Sequence, residues 1–249
     1  MMPEKEVVIE IPWDAEAKLM SRPNRFLGIV DISSISGSPA DVQEEKVHIH
    51  DPGRLEDLLY AGNDLLLKKA ANTNRKTGWD VIAAKADDGW ILINSAFHRK
   101  IAEWAIRNEV SPFLEGLDSV AAEQKFGDSR LDFLLVKGNT KIWVEVKGCT
   151  LINDRKAIFP DAPTSRGRRH IEELIKAVSG GDEALLIILI FRPNAQCFAP
   201  NEVIDPDLAA AFRDAMDVGV NVCPLVFNYE GREIIYRGNI SLCDGWKLL

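Results

Sequence analysis

Two apolar-rich runs on either side of Gly138-Asn139 predict a β-hairpin between Ser129 and Thr150. Gly-Asn between alternating runs is a signal for a two-residue turn, and the turn fixes which residues face each other across the strands. One face of this hairpin pairs apolar residues only: Leu131 with Val146, Phe133 with Val144 and Leu135 with Ile142. Asp132 and Glu145 fall opposite each other on the other face, which Lys147 shares with them. The register therefore predicts two paired carboxylates beside a lysine.

Paired carboxylates of this kind repel each other, because directly opposed Cβ atoms are only about 5 Å apart. A hard divalent cation such as Mg²⁺ would remove the repulsion, since it takes carboxylate oxygens and keeps several waters. Lys147 could then hold or deprotonate an attacking water beside a phosphate. Asp132 followed by Glu145-x-Lys147 resembles the core signature of PD-(D/E)xK nucleases. Ordinary solvated hairpins carry the same residue types, so the pattern alone also allows a purely structural interpretation.

Composition limits the classes of protein open to the chain. With 249 residues, 46% hydrophobic and 27% charged, it is typical of a globular protein with one large domain or two smaller ones. No apolar run reaches membrane-spanning length and the first ten residues lack a signal core, so we expect a cytoplasmic protein without membrane contact. The formal net charge of −8 excludes a wholly basic nucleic-acid binder but allows a local basic patch. The four widely spaced cysteines are expected to be reduced, mostly buried thiols.

Residues 1–88 are predicted to be rich in β-strands. The candidate strands are Val7–Ile11, Phe26–Ile32, Lys46–His50, Asp64–Leu67 and Trp79–Ala86. Five short strands separated by turns fit a small closed barrel of the OB type. Four bases without an intervening acid follow the fourth strand: Lys68, Lys69, Arg75 and Lys76. They indicate either a groove for single-stranded nucleic acid or a solvated loop.

Residues 89–249 show a different pattern, in which antiparallel strands are followed by alternating strands and helices. The predicted helices cover residues 96–108, 166–178 and 206–218, and the longest apolar run, Ala184 to Phe191, suits a buried strand. This order indicates an α/β domain (α+β mixed) with a mixed β-sheet and helices on both of its faces.

The hairpin is followed by A-I-F-P-D-A-P-T-S-R-G-R-R-H, from Ala157 to His170. Together with S-R-L-D-F-L-L and the E-V-K strand, this segment resembles the sugar fermentation stimulation protein (SfsA) family. The block F-P-D-A-P-T-x-R-G-x-x-H is long and specific, and weaker similarity covers nearly the whole chain, including Arg25-Phe26. The resemblance implies an OB-type domain joined to a restriction-endonuclease-like domain, with DNA binding and nuclease activity as expectations.

Carried over residue by residue, the resemblance assigns Asp132, Glu145 and Lys147 to the nuclease triad. Glu103 matches an acid on the first helix that often completes such sites. Because Glu103 points away from the apolar stripe of that helix, a solvated glutamate is an equal alternative, and Glu123 is another candidate for the fourth acid. The chain also departs from the family, with Gly148-Cys149 where members usually have Asn-Val and His98-Arg99 where they often have Pro-Asn.

A basic segment lies between the hairpin and the next helix. Its bases are Arg155, Lys156, Arg166, Arg168 and Arg169. Asp161 is its acid, and Thr164 or Ser165 can cap the helix that follows. Backbone N–H groups at a helix start favour phosphate, whereas bases there are unfavourable for the helix dipole, so a phosphate site explains the segment better than a solvated loop does. His170 is expected to orient a phosphate or to cap and pack, without a catalytic role.

These observations predict a nucleic-acid-binding, divalent-metal-dependent nuclease. Asp132, Glu145 and Glu103 would hold Mg²⁺ or Mn²⁺, and Lys147 would position the water or the scissile phosphate. The basic segment, the four bases of the barrel and Arg25 would bind DNA or RNA. The alternative is a non-enzymatic, non-specific DNA-binding protein, a regulator of sugar metabolism that retains the nuclease fold. A sugar hydrolase would also need two carboxylates but leaves Lys147 and the basic segment unexplained. The sequence leaves the oligomeric state open.

Overall fold

The computed structural model describes residues 6–32, 43–72, 74–127 and 129–246. The chain divides into two units. Unit 1 draws on residues 1–97, 191–193 and 227–236, and unit 2 on residues 98–190, 194–226 and 237–249. Among the described residues, no helix is both long enough and apolar enough to cross a membrane.

Unit 1 is built mainly from the first seven strands. They are β1 (Glu6–Glu10), β2 (Ala15–Asn24), β3 (Leu27–Asp31), β4 (Glu44–His48), β5 (Asp64–Lys69), β6 (Trp79–Ala86) and β7 (Gly89–Leu92). The order β4-β3-β2-β5-β6 is closed by parallel pairing of β4 with β6, so these five strands form a barrel. The expected OB-type barrel is confirmed.

Unit 2 contains the helices and the remaining strands. Short 3₁₀ turns cover Ser95–Phe97, at the end of unit 1, and Pro112–Leu114. The helices are α1 (His98–Arg107), α2 (Ser165–Ser179) and α3 (Pro206–Asp217). The strands are β8 (Ser119–Phe126), β9 (Ser129–Lys137), β10 (Thr140–Cys149), β11 (Ile152–Asn153), β12 (Lys156–Phe159), β13 (Glu183–Ile190), β14 (Cys197–Pro200), β15 (Asn221–Glu230), β16 (Glu233–Asn239) and β17 (Ser241–Leu242). The C-terminal end of β15 and the start of β16 belong to unit 1.

The main sheet of unit 2 has the order β15-β13-β10-β9-β8 and is mixed, as expected. Strand β13 runs parallel to both neighbours, and its residues from Ala184 to Ile190 are buried on both faces, which explains its unbroken apolar sequence. Strands β8 and β9 extend the sheet in antiparallel pairs. Helices α2 and α3 pack on one face through a shared core that includes Ile171, Leu174 and Phe212.

One barrel strand was not predicted correctly. The barrel uses β2, whereas β1, which corresponds to the predicted strand Val7–Ile11, pairs with β16. Strand β2 does alternate, with Ala15, Ala17 and Leu19 buried and the residues between them exposed. Alanine and charged residues have weak β-propensity, so this alternation gives a weaker signal than the valines and isoleucines of β1.

The expectation of four reduced cysteines is wrong for one pair. Cys197 and Cys243 form a disulfide, while Cys149 and Cys223 are free, buried thiols. The two bonded residues are 46 positions apart in sequence. Parallel pairing of β14 with β17 brings them together, because Cys197 lies opposite Ser241, two residues before Cys243. That pairing is a long-range contact, and the cysteine spacing alone gives no sign of it.

Candidate functional site

The site is built on the predicted hairpin, whose register the structure confirms over five residue pairs, from Lys137 opposite Thr140 to Phe133 opposite Val144. Beyond Phe133 the ladder of backbone pairs between β9 and β10 ends. There, the backbone N–H of Val146 donates to Oδ2 of Asp132 at 2.7 Å. The Asp132 carboxylate thus accepts from the Val146 N–H in place of a backbone carbonyl. This hydrogen bond holds the Asp132 side chain between β9 and β10, just beyond the last backbone pair.

Asp132 is half-buried, and its pKa is raised from 3.8 to about 6. Burial is the largest cause, and repulsion by the Glu145 carboxylate adds to it. The hydrogen bond from Val146 and the charges of Lys147 and His170 act in the opposite direction. Glu145 thus contributes to the raised pKa of Asp132, although the backbone pairing predicted for these two residues lies beyond the end of the ladder.

Glu145 is 2% exposed, and its two carboxylate oxygens differ in their surroundings. Oε1 accepts a hydrogen bond from Lys147 Nζ at 2.5 Å and another from Nδ1 of His170. Oε2 is buried and has no hydrogen-bond partner in the described part of the chain. Burial raises the pKa of this carboxyl, but Lys147 and His170 outweigh it, so the pKa is lowered overall and the group is ionised at neutral pH.

The unpartnered oxygen tests whether a metal would fit. A buried carboxylate oxygen without a partner is costly, and it lies on a residue whose charge also raises the pKa of Asp132. A hard divalent cation would satisfy the oxygen and offset the repulsion. The described residues contain no group of three or more His, Cys, Asp and Glu side chains arranged around a common ion. Two carboxylates suit Mg²⁺, which commonly binds through one or two and keeps several waters.

Of the two candidates for a further acid, the structure brings neither to this pair. Glu103 accepts from Arg107, one turn later on α1, at 2.7 Å on the surface. Glu123 forms ion pairs with Arg99 at 2.6 Å and with Arg130 at 3.3 Å. The surface ion pair agrees with the alternative interpretation of Glu103 as a solvated glutamate.

The contact of His170 with Glu145 is the part of the site that the sequence did not predict. His170 lies in the second turn of α2, is 6% exposed, and contacts Glu145 through Nδ1. Lys147 Nζ is 3.5 Å from the same nitrogen, so the three groups form one cluster. Helical spacing offered a signal, because His170 lies four residues before Leu174 and seven before Ala177, on the buried stripe of the helix.

The basic segment leads into the same helix. Arg155 and Lys156 are exposed at the β11–β12 turn, and Arg166 and Arg169 are exposed in the first turns of α2. Thr164 caps the helix by accepting from Gly167 N at 3.0 Å. Arg168 differs from the others, because it forms an ion pair with Asp207 at 2.8 Å and lies 3.6 Å from Glu172. Four of the five bases are thus open to solvent, and two of them, Arg166 and Arg169, lie within four residues of His170 on the same helix.

The bases of unit 1 are less available than the sequence indicated. Lys68 pairs with Asp14 at 2.9 Å, and Arg75 donates to both carboxylate oxygens of Asp80, at 2.6 and 3.0 Å. The ammonium of Lys69 lies 5.7 Å from the centre of the Trp79 ring. Lys76 and Arg25 are exposed. The stretch has no acid within it in sequence, but the barrel places acids beside two of its four bases.

Comparison with known proteins covers both units. The family model for the SfsA N-terminal OB domain matches residues 20–93, and that for the sugar fermentation stimulation protein RE domain matches residues 96–233. The sugar fermentation stimulation protein homolog of Methanococcoides burtonii is 65% identical over 243 residues, 97% of each chain. The homolog of Thermotoga neapolitana is 39% identical over 236 residues, 95% of this chain and 98% of its own.

A solved structure, that of Pyrococcus furiosus SfsA in complex with Ca²⁺, is also similar. It has a TM-score of 0.85 at 30% identity and covers 95% of this chain and 99% of its own. Two domain models thus match the chain, an OB domain followed by the RE domain of the family. The RE domain carries Asp132, Glu145 and Lys147 where strands β9 and β10 stop pairing. The chain belongs to the sugar fermentation stimulation protein (SfsA) family.

Proposed function

We propose that this protein is a divalent-metal-dependent phosphodiesterase that cleaves nucleic acid. The observation that carries the proposal is the state of Glu145, an ionised, buried carboxylate whose Oε2 has no partner in the described part of the chain and whose charge raises the pKa of Asp132. A protein that only bound nucleic acid would gain nothing from two carboxylates facing phosphates. The P. furiosus relative, solved in complex with Ca²⁺, supports a divalent cation in this family, since Ca²⁺ and Mg²⁺ both prefer oxygen ligands.

Asp132 and Glu145 would hold the cation, which when bound stabilises negative charge on the phosphate and makes water a better nucleophile. Lys147 supplies the positive charge next to them. Its ammonium donates to Glu145 in the absence of substrate, and its flexible side chain lets it turn to the attacking water or to a phosphate oxygen. Both groups are little exposed, so their interactions are less screened than surface charges are.

The basic segment supports a polyanionic substrate. Arg166 and Arg169 are exposed at the N-terminal end of α2, where backbone N–H groups already favour an anion. His170, which contacts Glu145, follows Arg169 directly and lies four residues, about one helical turn, after Arg166. Unit 1 would add sequence-independent affinity through its exposed bases, Arg25, Lys69 and Lys76.

The alternative is a DNA-binding protein that keeps the fold but not the chemistry. One observation favours it: among the residues that the structure describes, no third acid joins the two carboxylates, and Lys147 already neutralises Glu145. Metal dependence separates the two functions, because binding to phosphates needs no cation at the carboxylates.

The test is cleavage of labelled single-stranded and duplex DNA and RNA with Mg²⁺, Mn²⁺ or chelator, using wild type and Glu145→Gln. The variant keeps size and hydrogen-bonding capacity but removes a negative ligand, so cleavage should fall by at least about 100-fold. Affinity for DNA without metal should hold or rise, because a negative charge facing phosphates has been deleted. Glu183→Gln makes the same change at an exposed position of unit 2 and should cleave like wild type.

Lys147→Ala should also lower cleavage while leaving metal affinity largely intact, since an ammonium is no metal ligand. The enzymatic assignment fails if wild type cleaves no nucleic acid with either metal, or if Glu145→Gln cleaves as fast as wild type. The binding protein then becomes the better description.

A further inference from the structure

His170 is buried against the proposed metal-binding carboxylate, a contact that the sequence analysis did not predict. We propose that His170 is a positioning residue that fixes Glu145 through Oε1 and thereby directs Oε2 to the divalent cation. The inference rests on the proposed function and adds to it the residue that orients one of the two metal-binding carboxylates.

The division of the two oxygens is the first argument. A carboxylate has two equivalent oxygens and can rotate about its terminal bond, so an unrestrained glutamate offers either of them to an ion. Here both hydrogen-bond donors, Lys147 and His170, contact Oε1, and Oε2 has no partner in the described part of the chain. Hydrogen bonds to an ionised carboxylate are strong and directional. They distinguish the two oxygens before any ion arrives.

The second argument is that Lys147 cannot hold Glu145 throughout the proposed reaction. Its ammonium sits on a flexible stem of four carbons and is required near the water or the phosphate. When it turns there, its hydrogen bond to Oε1 is lost. The Nδ1 of His170 stays on Oε1, so the carboxylate keeps its orientation while the lysine moves.

The third argument is that the His170 ring is held rigidly by its helix. Ile171, Leu174 and Ala177 of α2 are each at most 1% exposed and belong to the core that covers this face of the sheet. An ionised carboxylate only accepts hydrogen bonds, so Nδ1 of His170 carries the hydrogen and donates it to Oε1. The ring is thus a fixed donor, supported by packing, beside a mobile one.

The experiment compares His170→Leu and His170→Asn with wild type. Leucine fills the space without a donor, whereas the amide of asparagine places an N–H close to the position of Nδ1. The primary readout is the affinity for Mn²⁺ measured by calorimetry on the intact protein without nucleic acid. Urea unfolding and metal-free DNA affinity are measured on the same samples. The control is Leu174→Ala, which damages the packing of the same helix one turn away.

His170→Leu should weaken Mn²⁺ binding by about 10- to 100-fold, as the loss of groups that orient metal ligands does. His170→Asn should recover most of that affinity, and neither variant should change DNA affinity in chelator. Leu174→Ala should lower the free energy of unfolding without changing Mn²⁺ affinity. If His170→Leu does not fold, His170→Ala takes its place: a loss of Mn²⁺ affinity that His170→Asn recovers supports the positioning role, and affinity close to wild type in His170→Ala overturns it.

Three results overturn the inference. If Glu145→Gln loses Mn²⁺ but His170→Leu binds it like wild type, the positioning role is wrong while the proposed function stands. If wild type binds neither Mn²⁺ nor Mg²⁺, the proposed function and the inference fall together. A loss in Leu174→Ala equal to that in His170→Leu would also refute it, because general damage to α2 would then explain the effect.

Discussion

Asp132→Asn should stabilise the metal-free protein, by an amount that depends on pH. The structure raises the pKa of Asp132 from 3.8 to about 6. The folded state therefore holds this proton more tightly than the unfolded state, so stability is lost as pH rises through this range. With one pKa unit equal to about 1.4 kcal/mol, ionised Asp132 costs about 3 kcal/mol above pH 6 and progressively less below it. Asparagine avoids this cost and still accepts from Val146 N through its amide oxygen.

The assay is urea unfolding in chelator at several pH values. The variant should be more stable than wild type by about 3 kcal/mol at pH 7.5 and by about 1 kcal/mol at pH 4.5. Asp214→Asn removes one charge at an exposed position of α3 and serves as the control for net charge, with little change expected at either pH. Saturating Mn²⁺ should stabilise wild type but not Asp132→Asn, because only an ionised carboxylate binds the cation well. A gain that is independent of pH, or an Asp132→Asn protein less stable than wild type at pH 7.5, would refute the reasoning.

Two further predictions concern structural contacts. A Cβ at Gly148 would overlap Cε1 of His98, so Gly148→Ala should lower the free energy of unfolding by about 1–3 kcal/mol. His98→Ala should relieve that loss in a double-mutant cycle, and strictly additive effects would show that the two residues do not compete for this space. Cys197→Ser should lower the free energy of unfolding by about 4 kcal/mol, because the disulfide closes a loop with a sequence separation of 46. Reductant should destabilise wild type equally and leave the variant unchanged; insensitivity of wild type to reductant would contradict the bond.

The pairing of His98 with Gly148 also gives a physical reason for two departures from the family pattern. The chain has glycine where members usually have asparagine after E-V-K, and histidine at the start of the first helix where they often have proline. In the structure the imidazole occupies the space that a side chain at position 148 would need. A side chain at position 148 and the imidazole of His98 would therefore occupy the same space, which neither position shows by itself.

Local sequence patterns were sufficient to predict those elements whose stabilising contacts are close in sequence. The register of the β9–β10 hairpin follows from a two-residue turn and alternating apolar residues, and five backbone pairs confirm it. The cap of α2 at Thr164 and the apolar run of β13 were equally visible, because each depends on its own few residues. Through that hairpin, the sequence alone put Asp132, Glu145 and Lys147 on one face.

Only the tertiary structure decided which groups surround those three residues and which charges remain available. His170 lies 25 residues from Glu145 in sequence and meets it because α2 packs on the sheet. In the same way, the barrel brings Asp14 to Lys68, and the pairing of β14 with β17 brings Cys243 to Cys197. Each of these contacts joins segments that are distant in sequence, and the local pattern of one segment does not predict the other as its partner. Their energies arise from burial and from charges brought close by packing, so they exist only once the whole chain has folded.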